Sequence, residues 1–556
     1  MNNEEICQRY EYLESERRGS IEQIWDLIER FVMPLRGEFY VTMNEEQEID
    51  WHRREIYDST AIFAAQGLAA SLHGNLTSSA QRWFDLRFRE SELNEDDAAM
   101  EWLEEATDVV YSALQEANFD IEISECYLDL VGFGTSILTE ELDDQTGKLS
   151  FAAVPVRESY FEEDHRKQVY RFFRHLQWTP GQMISKFGEE NVPKAITDLM
   201  ETPQGSVTRK EVIFVIYRRD LEEEPDTSKP LSPKNRPFGY KYVLKDTKET
   251  LGEEGGYYEM PAFVPRWRKT PGSRWGHSPA TVALGDILTL NQVKEATLEA
   301  AAKSIDPANI AEESALLGDL NLDRGALTVV SNIDGIKPYE SGSRFDVSNL
   351  EIQMLTDSVR KYFYQDQLEF KESPAMTATE VNVRYELMQR LLGPTFGRLK
   401  SDLLDPLIKR AFKILFREGL LPELPEQLSG ARMDIEYSGP LARSQRFDTA
   451  MAVQDFVANA AQMAEIFPEA LDIIDIDGAM RQIATMRGIP AKALRGQDEI
   501  DETRAARAEQ QQAMEQAQLG QEAGQAMQAM GAGAQSVNDA GPEVAQAMAQ
   551  AVGGGR

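Results

Sequence analysis

Residues able to do chemistry are scarce in this chain, and none completes a catalytic or ligand-binding pattern. The run GFGTS at 132–136 supplies Gly132 and Gly134 but no third glycine. It also precedes a strand instead of opening a helix, so it fails as a dinucleotide loop. TGK at 146–148 lacks the upstream glycine that a phosphate-cradling loop needs. GHSPA, Gly276 to Ala280, has the outline of a nucleophile elbow around Ser278. It follows a basic, proline-containing loop where an apolar strand is required, and Pro279 would distort the turn. The five histidines, at 52, 73, 165, 175 and 277, show no metal-ligand spacing. Asp475 and Asp477 stand at plausible calcium positions around Gly478, but Ile473 and Ala484 occupy the places where an EF-hand loop needs acids. Those two aspartates read as solvated acids at a helical turn. Carboxylates are so abundant that no catalytic pair can be singled out, and the expectation is no active site, no cofactor and no metal.

The charge balance bounds the partners. With 94 Asp and Glu against 58 Lys and Arg, the net charge of the 556 residues is -36. A sequence-reading DNA binder needs clustered Lys and Arg for its phosphate contacts, which argues against that class. Acidity also keeps ordinary soluble proteins dispersed, so both readings stand. Cys7 and Cys126 are far apart, which supports neither a disulfide framework nor a structural zinc site. The opening residues are charged from position 4 with no apolar core of a signal peptide. The uncharged stretch from Ser59 to Gln81 carries Gln66, His73 and Asn75, so it reads as a packed helix and not a membrane span. The chain is expected to be made in a cytoplasm, there to stay soluble or join an assembly.

The elements that must position anything functional fall into blocks. Apolar periodicity predicts helices over the first 125 residues: a stripe from Ile21 to Phe31 ending at Pro34, a second helix from about Asp58 to Leu76, and a third from about Asp97 to Ala117. From about 127 to 270, β-rich runs alternate with Gly, Pro, Asp and Asn, and two short helices begin near Pro180 and Pro193. Helical spacing returns from Val282 to about Lys303 and again from Val347 to Phe363, on either side of a compact, loop-rich insert. A break at Pro374 precedes a long helix from about Thr379 to Glu418, expected to kink near Gly393–Gly397. A short strand, MDIEYSG, and a helical block from Leu441 to about Lys492 follow, then a Gln/Ala/Met/Gly tail. The fold class is α+β, predominantly helical.

This order resembles the portal, or head-to-tail connector, proteins of short-tailed bacteriophages. Four strings carry the resemblance: GSRWGHSPATVALGDILTLNQVKEA, MTATEVNVRYELMQRLLGPTFGRLKSDLLDPLI, GLAASLHGNLTSSAQRWFDLRF and LVGFGTSILTEE. The agreement in order spans roughly residues 5 to 500. The resemblance implies a wing (1–280), stem helices (281–303 and 345–368) flanking a clip (304–344), and a channel loop (369–378). It further implies a long kinked helix returning to the wing (379–445), a helical crown (446–500) and a low-complexity tail (501–556).

Such proteins form twelve-subunit rings at one capsid vertex of the virion, assembled in the host bacterial cytoplasm. The implied partners are further copies of the chain, the terminase large subunit, tail adaptor and tail proteins, major capsid and scaffolding proteins, and internal core proteins. Double-stranded DNA passes through without sequence recognition. Lys371, Glu372, Ser373, Met376, Arg384 and Arg390 are candidates to face the channel, with intrachain ion pairs the competing reading for the basic ones. Arg266, Arg268, Lys269 and Arg274 form the strongest basic cluster, a candidate for subunit or DNA contact. Ala296, Ala300, Ala301 and Ala302 either allow close approach of neighbouring helices or simply favour the helix. An internal core or minor capsid protein, or a hydrolase with an acidic site, remain the alternatives.

Overall fold

Where apolar residues recur every three or four positions the chain is helical, and where they alternate it is sheet; the two regimes occupy successive stretches. The computed structural model describes residues 1–34, 55–79, 82–94, 96–143, 146–220, 231–305, 309–311, 336–338, 345–365, 392–425, 433–437, 440–464, 475–487 and 499–514, with a few isolated positions between them. Two compact units are distinguished, Met1–Ser91 with Trp102–Arg446, and Glu92–Glu101 with Phe447–Arg556.

Helices α1 (Asn3–Ser20), α2 (Glu22–Phe31) and α3 (Thr60–Leu76) lead to strand β1 (Phe84–Phe88) and to helices α4 (Asp97–Glu116) and α5 (Phe119–Phe133). Strands β2 (Leu138–Leu142) and β3 (Leu149–Ala153) open the sheet-rich part. Then come β4 (Ser159–Glu163), β5 (Val169–Trp178), helices α6 (Pro180–Phe187) and α7 (Lys194–Met200), and strands β6 (Lys210–Arg218), β7 (Phe238–Leu244) and β8 (Thr250–Tyr257). The last five strands form one antiparallel meander in the order β4-β5-β6-β7-β8. Helix α6 starts where Thr179 and Gln182 close a reciprocal capping box with Pro180 in the first turn, which is why the sheet can turn into a helix there.

Strand β6 is buried on both faces. On one side Ile213, Val215 and Tyr217 join Phe173, Tyr160 and Val243 under Ile6, Cys7, Tyr10 and Leu13 of α1. On the other side Phe214 stacks on Tyr242, with centroids 4.5 Å apart, and Tyr242 continues to Trp178 and Phe187. Helix α1 is fixed at both ends: Asn2 caps Glu4 N, and Arg17 is buried against Glu22 at 2.6 Å while donating to the carbonyls of Val156 and Ser159.

Short strands β9 (Ala262–Phe263), β10 (Arg268–Lys269) and β11 (Gly276–His277) lead into the longest described helix, α8 (Pro279–Ile305). β9 joins β2 and β3 in a three-stranded sheet, and β10 pairs with β11. Helix α9 (Phe345–Tyr362) runs back along α8: Ser358 Oγ donates to Asp286 at 2.6 Å near the base. In the chain between the two helices, β12 (Asn309–Ala311) and β13 (Ile336–Pro338) pair antiparallel.

Residues 392–399 are helical through Gly393 and Gly397, and the first part of the expected long helix, 379–391, lies outside the described residues. A departure from regular α-helix comes at Lys400–Leu404, a π-turn immediately ahead of α10 (Asp405–Arg417). Pro406 explains the position: it has no N–H to offer residue 402, and its ring crowds that carbonyl, so the helix widens one turn upstream. Strand β14 (Met433–Tyr437) pairs antiparallel with β1, Leu86 opposite Ile435, bringing the late chain back onto the N-terminal part. Helices α11 (Pro440–Ala464) and α12 (Ile476–Arg487) follow. In the second unit Arg504 grips Asp477 through two bonds of 2.5 and 2.6 Å, which gives that aspartate a partner other than a metal ion.

Candidate functional site at the root of the helical hairpin

The α8–α9 hairpin is anchored where two glycine-containing loops cross. Helix α5 ends at Gly134, whose φ of +76° is a left-handed C-cap that side-chain-bearing residues rarely adopt. A Cβ on Gly134 would lie 2.7 Å from the Gly276 oxygen, and a Cβ on Gly276 would lie 2.0 Å from the Gly134 oxygen. The two backbones are therefore in direct contact, and hydrogen bonds sew them together. Trp267 N donates to Gly134 O at 2.8 Å, Gly276 N to Thr135 Oγ1 at 2.8 Å, and Ser136 N to Pro265 O at 3.2 Å. Trp25 of α2 is wholly buried beside this crossing, 5.0 Å from Trp275, and its Nε1 donates to Phe133 O at 2.9 Å.

Ser278, the residue that most resembled a nucleophile, has a structural position. Its Oγ donates to Gly132 O at 2.6 Å and accepts from Thr281 N at 2.9 Å, so it caps α8 with Pro279 in the first turn. Among the described residues no histidine is bonded to it, and it is buried. Replacing it removes a cap and leaves a buried carbonyl short of a donor. Ser278→Ala should therefore cost about 1–2 kcal/mol in urea denaturation; unchanged stability would contradict the capping role.

Higher on α8, Asn291 holds the segment that enters α3. Its Oδ1 accepts from Tyr57 N at 2.7 Å and from Asp58 N at 3.2 Å, while Nδ2 donates to Glu55 O at 2.9 Å. One turn on, Lys294 reaches Asp58 at 2.5 Å. Both residues lie on α8 and both serve the same short stretch, so the helix is fastened along its first four turns.

Around the crossing the titratable groups are committed. Arg36 grips Asp129 through two bonds and also meets Glu125. Burial raises the Asp129 carboxyl, with Arg36 pulling the other way. Burial also pushes the Cys126 thiol up to about 12 although it lies 3.1 Å from Ser136 Oγ, and it raises Cys7 as well. Thiols held that way stay protonated near neutrality and make poor nucleophiles.

The basic cluster is largely spent inside the chain. Arg266 is buried against Glu163 and reaches Asp402 at 3.4 Å. Lys269 contacts Glu163 at 2.5 and 2.6 Å, and Arg274 reaches Glu16 at 3.3 Å and Phe161 O at 3.1 Å. The Arg268 side chain is exposed and meets no carboxylate among the described residues. Lys371, Glu372, Ser373, Met376, Arg384 and Arg390 lie outside the described residues. Among the described residues no group of three His, Cys, Asp or Glu is placed to hold a metal ion, and no helix is long and apolar enough to cross a membrane. What this site can do is mechanical: it ties the base of a two-helix arm to α5 and α2.

A family model described as "Bacteriophage head to tail connecting protein" matches residues 3–494. The chain is 29% identical over 531 residues to the "Probable portal protein" of Bordetella phage BPP-1, covering 92% of each chain. It is 26% identical over 533 residues to the "Portal protein" of Salmonella phage epsilon15, covering 94% of each. A solved structure titled "Virion of native gene transfer agent (GTA) particle" is similar at a TM-score of 0.34 and 10% identity, over 72% of this chain and 87% of that one. At that score the likeness carries no weight.

Proposed function

This chain belongs to the bacteriophage head-to-tail connecting protein family, and from that premise we propose that copies of it close into a ring through which the genome moves. It is a structural portal subunit of the phage head–tail junction and not an enzyme. The finer reading assigns the body before residue 280 and the return at 379–445 to the wing. It assigns the α8–α9 hairpin to the stem, 304–344 to the clip, 369–378 to a channel loop, and 446–500 to the crown.

One observation carries this reading. Beyond Asn291 no residue of α8 is buried, and before Val359 none of α9 is. The two helices run side by side for about four turns with large apolar residues facing solvent: Leu298, Ile305, Val347, Leu350 and Met354 are each more than half exposed. Two helices alone can bury only the seam between them, and helical stability in proteins comes chiefly from packing. Such an arm is built to be covered. A ring supplies the cover, because a heterologous contact that closes places each arm between two neighbours.

The remaining parts follow. Twelve copies would bind terminase during packaging and tail adaptors afterwards, with capsid, scaffolding and internal core proteins around them. With a net charge of -36 per copy the ring repels the duplex, which suits sliding over binding. Lys371, Glu372, Ser373, Met376, Arg384 and Arg390 are proposed to face the channel. Arg268, the exposed member of its cluster, is left to meet a neighbour or DNA. Negative-stain images and mass photometry of the purified chain should show closed rings with a central hole, whereas compact monomers at every concentration would overturn the reading. Replacing 304–344 by a short linker should spare the ring and abolish terminase or adaptor binding; loss of the ring would remove the clip assignment.

A further inference from the structure

Glu140 lies in β2, paired between β3 and β9, and its side chain turns toward α10. The carboxyl is wholly buried, and among the described residues neither oxygen has a hydrogen-bond partner. The cation facing it, Arg410 of α10, stands 3.7 Å from Oε2. Arg410 spends its donors elsewhere: Nε and Nη2 reach the main-chain carbonyl of Glu140 at 3.3 and 3.2 Å, and Nη1 reaches that of Glu259 at 2.9 Å. The other groups around it are already paired. The Glu259 carboxylate is held by Arg417 at 2.8 and 2.9 Å, with Lys413 at 3.7 Å. The Tyr257 ring of β8 lies 5.6 Å from the Arg410 guanidinium, and its hydroxyl donates to Glu141 at 2.8 Å.

A carboxylate in such a place has lost its water and gained no hydrogen bond, so the neutral acid fits better than the anion. The guanidinium meanwhile holds β2 and α10 together through carbonyl oxygens, a contact that needs no charge on Glu140. We propose that Glu140 is a proton-operated latch: α10 docks on β2 while this carboxyl is uncharged, and its ionisation loosens the docking.

Burial is the main cause that pushes Glu140 up to about 8, with Glu259 reinforcing it and Arg410 and Arg417 opposing. The docked state therefore keeps a proton that a free glutamate loses. Docking is at full strength below the ordinary glutamate range, weakens as pH rises from there to about 8, and undocking near neutrality releases one proton. Helix α10 follows directly on residues 392–404, so the latch secures the C-terminal end of that rod.

The test reads hydrogen exchange of the 405–417 amides in the full chain, corrected for the intrinsic pH dependence of exchange. In the unsubstituted chain protection should fall about ten-fold or more between pH 6 and pH 8. In Glu140→Gln and Glu140→Leu, which keep the carbonyl that holds Arg410, it should be flat. Equal pH dependence in all three chains, or none in the unsubstituted one, overturns the latch. Failure of both variants to fold would show that the charge itself holds the helix, which also overturns it. None of these outcomes depends on ring formation.

Discussion

Gly276→Ala and Gly134→Ala should each remove at least about 4 kcal/mol of stability, or prevent soluble expression altogether. The reason is geometric. At Gly276 the added methyl would meet the Gly134 carbonyl oxygen at 2.0 Å, and at Gly134 it would meet three backbone atoms of 276–278 at 2.7 Å. Main-chain atoms cannot step aside as a flexible side chain can. At Gly134 the positive φ adds its own penalty of about 1 kcal/mol or more. Separating the two loops would also break the bonds from Trp267, Gly276 and Ser278 that root α8. Gly285 provides the control. It lies within α8 with nothing inside 4 Å of where a Cβ would stand, so Gly285→Ala should gain up to about 1 kcal/mol from helix propensity. Urea denaturation of the three variants, read by circular dichroism, distinguishes a steric crossing from a general intolerance of change. If Gly276→Ala were as stable as the unsubstituted chain, the crossing could not be the anchor.

That crossing also marks where the sequence stops being readable. Local signals fix local elements: Pro180 and Pro193 open α6 and α7 much as their positions suggest, and the stripe from Ala64 to Leu72 is the buried side of α3. The hairpin is legible as well, since both helices keep a helical period on either side of a turn-rich insert. What no periodicity reveals is that GFGTS and WGHS, some 140 residues apart in the chain, interlock at van der Waals distance. Each looked like a fragment of an active-site motif because a glycine beside a small polar residue serves close backbone approach in both settings. The intrachain partners of the basic run at 266–274 are hidden for a related reason. Its partners Glu163, Asp402 and Glu16 come from three distant segments, so a cluster that reads as a surface in sequence is mostly a buried ion-pair network in space. The π-turn at 400–404 has a different origin: glycine permits an irregularity without requiring one, whereas Pro406 enforces its own.

Leu350→Asp and Met354→Asp should abolish ring assembly and leave the single chain as stable as before. In the isolated subunit these side chains are 60% and 62% exposed, so a charge there disturbs no core and its cost should stay within about 0.5 kcal/mol. In a ring the same positions would be covered. Burying a leucine or methionine contributes about 1.5–3 kcal/mol per contact, and an unpaired carboxylate forced into that contact would oppose it by several more. A closed ring has as many interfaces as subunits, so a defect carried by every copy recurs at every interface, and closure fails long before the monomer does. Neighbouring copies also share a net charge of -36, which makes uncharged ground the natural place for them to touch. Mass photometry should then show rings for the unsubstituted chain and monomers for both variants, with superimposable thermal melts under conditions where all are monomeric. Rings that persist in Leu350→Asp and Met354→Asp would mean the arm is not the contact. A variant that fails to melt cooperatively would mean the arm is packed within its own chain. If rings vanish and the melts coincide, a hairpin too slender to stabilise itself derives its order from its neighbours, and its root at Gly134 and Gly276 is what holds it in place to meet them.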